Sequence, residues 1–442
     1  MKMNVKMKTI RIIMITQLLC SAVTAQQAAL TVGDCMRYAV EHNHDIRISQ
    51  LTQDNRRADR VAAIGAFLPS VSGNIGAQYN FGRAIDPETN VYTNVSTFNN
   101  GYSVSASLPL FDGFQRVNRL RAAQASVLMG NSELQARRDE LALQVFEAYC
   151  NVLYYQGTVR MAGEKREQSR MTLHQTRVMC EIGQKSEADV AQMEAQLAAD
   201  EYEVTRQENE LATARLSLRQ LMNWPGEVEV AEGLDGKDGL DGLNREDGLD
   251  GDELPAVAAA RHNVTVARHN LHEAWGEFSP TLSISGGMTT NYNKMLHAEA
   301  VGFRTQLDNN KGEYVYATLS IPVFNRLQTI TNVRRQKNNL RIAEEQLAQK
   351  RDELARLRLQ AGSDCEGYRR QTVQMRHKVE ADSLAWQLTL RKYEEGLASG
   401  IDVQTTSATL LQSRAQLLQC RLMLALKQKL VNYYNGISLW TE

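Results

Sequence analysis

Residues 107–115 read SLPLFDGFQ, and residues 320–328 read SIPVFNRLQ. To the left, each stretch runs back into a segment that alternates apolar and small polar residues, the period of a strand. To the right, each opens a long pattern of helical period. Pro322 stands 213 positions after Pro109 (322 − 109), and the same offset lays Asp112 on Asn325, both good N-cap residues. It also carries Gly183, Ser186, Asp189 and Val190 onto Gly396, Ser399, Asp402 and Val403. No insertion separates the two landmarks in either half, so an internal duplication governs the fold.

Between the landmarks the apolar period is seven. Leu120, Val127, Leu134, Leu141, Ala148 and Tyr155 are echoed by Val333, Leu340, Leu347, Leu354, Ala361 and Tyr368. Past the second landmark the register resumes as Val190, Leu197, Val204, Leu211 and Leu218, echoed by Val403, Leu410, Leu417, Leu424 and Val431. Heptads sustained this long predict coiled-coil-like packing of long helices. A continuous helix from Asp112 to Gly183 would run on the order of 100 Å at 1.5 Å per residue. Gly130, Gly157 and Gly163 interrupt the first such helix and predict joints in it. Gly183 and Gly396 suit helix C-caps, and Ser186-x-x-Asp189 and Ser399-x-x-Asp402 are capping boxes that open the next helix. Each half therefore predicts a helical hairpin.

Upstream of each junction lie two alternating segments. In GYSVSASLPL, Tyr102, Val104, Ala106, Leu108 and Leu110 oppose Ser103, Ser105 and Ser107. In EYVYATLSIPV, Val315, Ala317, Leu319, Ile321 and Val323 oppose Tyr316, Thr318 and Ser320. PSVSGNIGAQYNF from Pro69 and PTLSISGGMTTNYN from Pro280 behave alike. Strands of roughly ten residues can cross a bilayer as tilted β-structure, with the small polar face toward a wet lumen. Pro69 and the glycines argue against a membrane helix over 61–82, although that window carries no charge. Membrane barrels need at least about eight strands, and open edges cannot face lipid. Four strands cannot close, so several copies must share one barrel.

The remaining composition is mostly bland. The chain has 442 residues, 43% hydrophobic, and a formal charge of −1, which gives no basic field for nucleic acid. Lys2, Lys6, Lys8 and Arg11 precede the apolar run Ile12–Leu19, and Val23-Thr24-Ala25 is a small-residue cleavage site. Residues 1–25 thus read as a secretory signal peptide. The five later cysteines, Cys35, Cys150, Cys180, Cys365 and Cys420, show no disulfide framework. His262, His269 and His272 lie on a predicted helix without cysteine or carboxylate partners at ligand spacing, so no metal or other cofactor is assigned. The segment GLDGKDGLDGLNREDGLDG (233–251) fits no calcium motif and reads as an acidic linker. No nucleophile or acid–base constellation asks for an enzyme.

The opening helix TVGDCMRYAVEHNHDIRISQ, the LPSVSG and SPTLSI strand starts, both S-[LI]-P-[LV]-F junctions and both G-x-x-S-x-x-D-V turns together resemble the outer-membrane efflux protein family, the TolC-like channels. The resemblance implies a mostly helical fold with membrane β-structure: two tandem repeats, each a two-strand barrel sector plus a long helical hairpin. It implies a homotrimer whose barrel is continued by an α-helical tunnel through the periplasm. The first repeat would span 26–230, with strands about 69–81 and 101–111, a hairpin about 112–223 and its tip near 183–190. A linker and equatorial region would fill 231–254. The second repeat would span 255–442, with strands about 280–293 and 313–324, a hairpin about 325–435 and its tip near 396–403. Pro109, Asp112, Pro322 and Asn325 would mark the barrel-to-helix junctions, where strand pairing ends.

The implied function is a passive outer-membrane exit duct, coupled to a periplasmic adaptor (membrane-fusion) protein and an inner-membrane pump of the resistance-nodulation-division type. Gly183, Ser186, Asp189, Val190, Gly396, Ser399, Asp402 and Val403 would form the adaptor-docking tips. Asp189 and Asp402 either cap their helices or add charge at the entrance, and Asp402 is the candidate gate. Relatives with a second gating acid carry it three residues on, where this chain has Thr405. The alternative reading is a secreted coiled-coil structural or adhesive rod.

Overall fold

A computed structural model of the chain describes residues 29–85, 90–94, 96–231, 233, 254–295, 301–437 and 439. The signal peptide and nearly all of the acidic linker lie outside these residues. The chain divides into two compact units: residues 50–134 with 255–351, and the described residues of 1–49, 135–254 and 352–442. In chain order the elements are α1 (Val32–His42), α2 (His44–Gly65), β1 (Ser70–Asn80), β2 (Arg83–Ile85), β3 (Tyr92–Asn94), β4 (Thr97–Phe111), α3 (Gln115–Glu181), α4 (Glu187–Met222), α5 (Pro255–Gly276), β5 (Thr281–Met295), α6 (Phe303–Asn309), β6 (Gly312–Ser320), α7 (Gln328–Glu394) and α8 (Gly400–Tyr434).

The first unit holds an antiparallel sheet in the order β1-β4-β5-β6. Directly paired residues share a face, so the register sorts the side chains. Ile75 pairs Tyr102, Tyr102 pairs Thr290, Val104 pairs Met288 and Ile284 pairs Ala317, which makes one face apolar. Ser72 pairs Ser105, and Ser107 pairs Ser70 and Ser285, which makes the other face small and polar across β1, β4 and β5, while β6 adds Tyr314 and Tyr316 to it. Hydroxyls of Ser72 and Ser105, and of Ser107 and Ser285, meet at 3.0 Å along that second face. The apolar face is uncovered: Ile75 is 78% and Val315 77% exposed. The outward edges of β1 and β6 carry no strand partner among the described residues.

The strand limits differ from the sequence reading in two places. β4 starts at Thr97 and keeps Pro109 inside it, opposite Ser283, with a bulge before Phe111. A bulge is where a strand tolerates a residue without an N–H. β6 stops at Ser320, opposite Thr281, because Pro280 and Pro322 on the two strands both lack an amide hydrogen to continue the ladder.

The junctions also differ from a strand feeding straight into a capped helix. Gly113 and Phe114 take left-handed backbone (φ +66° and +63°), as do Arg326 and Leu327 (φ +58° and +63°), and α3 and α7 begin only after them. At Gly113 a Cβ would come within 2.5 Å of the Gly276 carbonyl oxygen. The second junction has no such neighbour and accepts two side chains there, at a cost of about 1–2 kcal/mol per left-handed residue. The Asp112 carboxylate reaches past the turn to accept the Arg116 N–H (3.1 Å) and pairs with its guanidinium (2.8 Å). Asn325 instead bonds the Thr329 hydroxyl.

Helices α3 and α7 each run 67 residues, with bounds 213 apart at both ends (328 − 115 and 394 − 181). Heptad positions form the core: Val127 and Val333 are buried in the sheet unit, and Leu141, Val204, Leu218, Ala361, Val403, Leu410, Leu417 and Leu424 in the helical one. No described helix is long and apolar enough to cross a membrane.

The predicted joints in α3 are absent; two of its three glycines, Gly130 and Gly157, serve close packing instead, while Gly163 has open space beside it. A Cβ at Gly157 would lie 2.3 Å from a Leu418 methyl, and one at Gly130 would lie within 2 Å of the Gln53 amide oxygen. Gln53 is buried and pinned, donating to the Val127 carbonyl (2.9 Å) and Asn131 (2.8 Å). Ala at position 130 should gain about 1 kcal/mol of helix propensity but lose about 1–3 kcal/mol by overpacking and a displaced buried amide. Arg56 stands as close, its guanidinium within 2.3 Å of such a Cβ, so a chemical-denaturation cycle should show Gly130→Ala destabilising in the native background and stabilising alongside Gln53→Ala/Arg56→Ala.

Candidate functional site: the paired helical turns

The turn between α3 and α4 ends one helix and starts the next by local rules alone. Gly183 is left-handed (φ +78°), and the N–H groups of Gly183 and Gln184 return to the Cys180 and Met179 carbonyls (2.9 and 2.8 Å). That is a Schellman closure, which only a residue free of left-handed strain takes cheaply. Gly396 (φ +77°) does the same, with Gly396 and Leu397 donating to Tyr393 and Lys392 (3.0 and 2.7 Å).

Each following helix opens on a reciprocal cap. Asp189 accepts from the Ser186 N–H and hydroxyl (2.9 and 2.8 Å), and its own N–H donates to the Ser186 hydroxyl (3.3 Å). Asp402 and Ser399 repeat this at 2.9, 2.7 and 3.3 Å. The Ser186 backbone and hydroxyl bonds hold the Asp189 carboxyl below its usual range, and the Ser399 hydroxyl and backbone bonds do so for Asp402. The sign follows: a depressed folded-state pKa means the caps are complete at neutral pH and weaken only as pH falls through the lowered values. The capping geometry is the same for both aspartates. Thr405 bonds the Ile401 carbonyl of its own helix (2.8 Å). Val403 is buried and Val190 half-buried.

The helical unit brings the two turns together, which the sequence did not foretell. The buried Tyr393 hydroxyl meets that of Thr176 at 2.7 Å, and Lys185 lies 4.7 Å over the Tyr393 ring. Close by, Asp200 of α4 is 3% exposed and bonded by Lys165 (2.9 Å), Ser169 (2.5 Å) and Gln196 (2.8 Å). Gln404 of α8 donates in turn to Gln196. The second hairpin carries the same three groups 213 positions on, with serine and aspartate exchanged between helices: Lys378, Asp382 and Ser413. Asp382 pairs with Lys378 (2.7 Å), which with the nearby Ser413 depresses its pKa, while the Ser413 hydroxyl donates to the Thr409 and Leu410 carbonyls (3.0 and 3.1 Å). In the first hairpin the ion pair crosses between helices; in the second it stays on α7, with Ser413 of α8 beside it. The first satisfies the buried Asp200 carboxylate and the second a half-buried one, Asp382 being 20% exposed. A heptad reading misses them, since it scores polar core positions as breaks.

Exposed apolar side chains rim the turns: Ile182 (64%), Leu397 (75%) and Ile401 (54%). Among the described residues no group of three or more histidines, cysteines or acids is placed to hold a metal ion; His269 and His272 stack edge-on at 6.2 Å between ring centres.

The family model for outer membrane efflux proteins matches residues 36–223 and 252–431. The chain belongs to that family. It is 22% identical to the outer membrane efflux protein BepC of Brucella suis over 409 residues, 91% of this chain and 85% of BepC. It is 22% identical over 338 residues to the alkaline protease secretion protein AprF of Pseudomonas aeruginosa, covering 70% of this chain and 64% of AprF. A crystal structure of CusC, a protein that forms a transmembrane channel, superposes with a TM-score of 0.81 at 16% identity and 93% coverage of both chains. The protein is an outer-membrane efflux channel with a small β-sheet and long periplasmic helices. The rod reading is not favoured.

Removing the Asp200 carboxylate takes from the half-buried Lys165 its ion-pair partner and from Ser169 and Gln196 their acceptor, a loss of about 1–3 kcal/mol. Asp200→Ala should therefore cost several-fold more stability than Ser169→Ala, measured by denaturation of the detergent-solubilised channel.

Proposed function

We propose that three copies of this channel pool their four-stranded sheets into one closed barrel, and that it works as the exit duct of a tripartite assembly. The observation that carries the first part is the sheet itself. It has an exposed apolar face, a small polar face and two bare edges. Lipid offers no hydrogen bonds, so each bare backbone group would cost several kcal/mol there. Three sheets joined edge to edge remove that cost, point the apolar face at lipid and turn the serine face toward a lumen. The tandem repeat reading fits the same scheme, each half supplying two strands and one hairpin.

The paired turns are the docking end in this reading. Ile182, Leu397 and Ile401 offer an apolar rim that suits a periplasmic adaptor, itself coupled to an inner-membrane pump of the resistance-nodulation-division type. Asp402, repeated by three-fold symmetry, would place a ring of negative charge at the entrance and favour cations.

Purified channel should require detergent and run as a heat-modifiable oligomer with the mass of three chains; a soluble monomer would sink the proposal. In planar bilayers, Asp402→Asn keeps the cap acceptor while removing charge, and should lower cation preference. Equal selectivity in native and variant channels would leave Asp402 as a helix cap alone.

A further inference from the structure

β5 outruns its neighbour. Its pairing with β6 ends at Thr289–Gly312, while its pairing with β4 continues to Met295. Residues 290–295 therefore have a strand on one side only, and α6 fills the other. Asn293 N–H donates to the Gln306 amide oxygen (2.9 Å), and the Gln306 amide nitrogen donates back to the Asn293 carbonyl (2.9 Å). Asn310 donates to the Asn291 carbonyl (2.9 Å), and the Thr290 hydroxyl donates to the Leu307 carbonyl (2.6 Å). Phe303 packs against Tyr292 and Tyr102, at 5.1 and 6.3 Å between ring centres.

The paired bonds at Asn293 are those an adjacent strand would make, supplied here by one primary amide. Phe303, Gln306, Leu307 and Asn310 follow the helical spacing of a single face; Gln306 and Leu307 are half-buried, while Phe303, Asn310 and the outward Arg304, Thr305 and Asp308 are exposed.

We propose that α6 is a strand surrogate. It closes the outer part of the β5 edge and confines the addition of a second copy's β1 to the free edge of β6. Bare edges invite pairing in any register, and an edge plugged by side-chain amides admits none. The occupant of the remaining edge is a second copy because β1 and β6 are the sheet's two bare ends, each exposed along its length. This rests on the three-copy reading above.

The test compares native channel with Gln306→Leu/Asn310→Leu and with the milder Gln306→Glu, which retains only the acceptor. Amide exchange is followed in peptides covering 290–295, and oligomer mass by native mass spectrometry in detergent. Continued protection of the α7–α8 hairpin certifies that the variants are folded, and Arg304→Ala/Asp308→Ala serves as the control for the outward face. We expect the double variant to lose protection at 290–295 and to replace the single native mass with a mixture, Gln306→Glu to show partial loss, and the control to match the native channel. Retained protection in the folded double variant, or lost protection with an unchanged oligomer mass, would overturn the proposal. A native chain that never oligomerises would instead defeat the three-copy reading and the second-copy half of this one, while exchange at 290–295 still decides whether α6 caps the edge.

Discussion

The backbone hydrogen bonds of a four-stranded sheet are the constraint on which the rest of this structure depends. A strand can satisfy its N–H and C=O groups only through a neighbour, and among the described residues two strands of this sheet have none on their outer sides. Water could satisfy those groups, but the exposed apolar face, with Ile75, Val104, Val315 and Leu319 on it, calls for lipid. The two demands conflict in a single copy and agree in an assembly. The same accounting explains α6, which satisfies backbone groups that β6 is too short to reach.

The helical unit meets a different problem, that of holding long amphipathic helices in register. Heptad leucines and valines share the burial with residues between them, such as Val145, Tyr149, Val152 and Leu426, but an apolar seam alone slides easily by one repeat. A buried polar group that reaches across the seam resists sliding, because a shifted Asp200 would lose Lys165 and Ser169 on the facing helix. Asp200 with Lys165 and Ser169, and Asp382 with Lys378 and Ser413, occupy matching places in the two hairpins. The exchange of serine and aspartate between helices keeps the chemistry while placing the second ion pair within α7. Gln404 and Gln196 then tie the hairpins to each other, as do Tyr393 and Thr176.

These ties have a functional side. The turns belong to the periplasmic helices of an efflux channel, and their closures are strong and local: Schellman bonds, reciprocal caps and ionised carboxylates. Motion at that end is therefore more easily placed in contacts between hairpins than within a turn. The exposed Ile182, Leu397 and Ile401 lie beside those contacts in the chain, so a partner seated on the rim would act close to the groups that tie the hairpins together.

Periodicity and capping chemistry act over short distances, and these were legible in the sequence. The heptads placed the core stripe, the alternation separated the two sheet faces, and Gly183, Ser186 and their counterparts marked both turns because caps depend on three or four consecutive residues. The 213-residue offset appeared because it needs no geometry at all. What depended on partners distant in the chain stayed hidden. Gly130 and Gly157 read as helix breakers and turned out to be contact points, since only the packed Gln53 and Leu418 reveal why a side chain has no room. The strand around Pro109 ends at Phe111 as read, but its earlier start at Thr97 and its bulge after Pro109 were not foreseen. The left-handed pair at each junction, the pairing of the turns and the helix that stands in for a strand were decided by tertiary structure, because each is the answer to a hydrogen bond or a clash supplied from elsewhere in the chain.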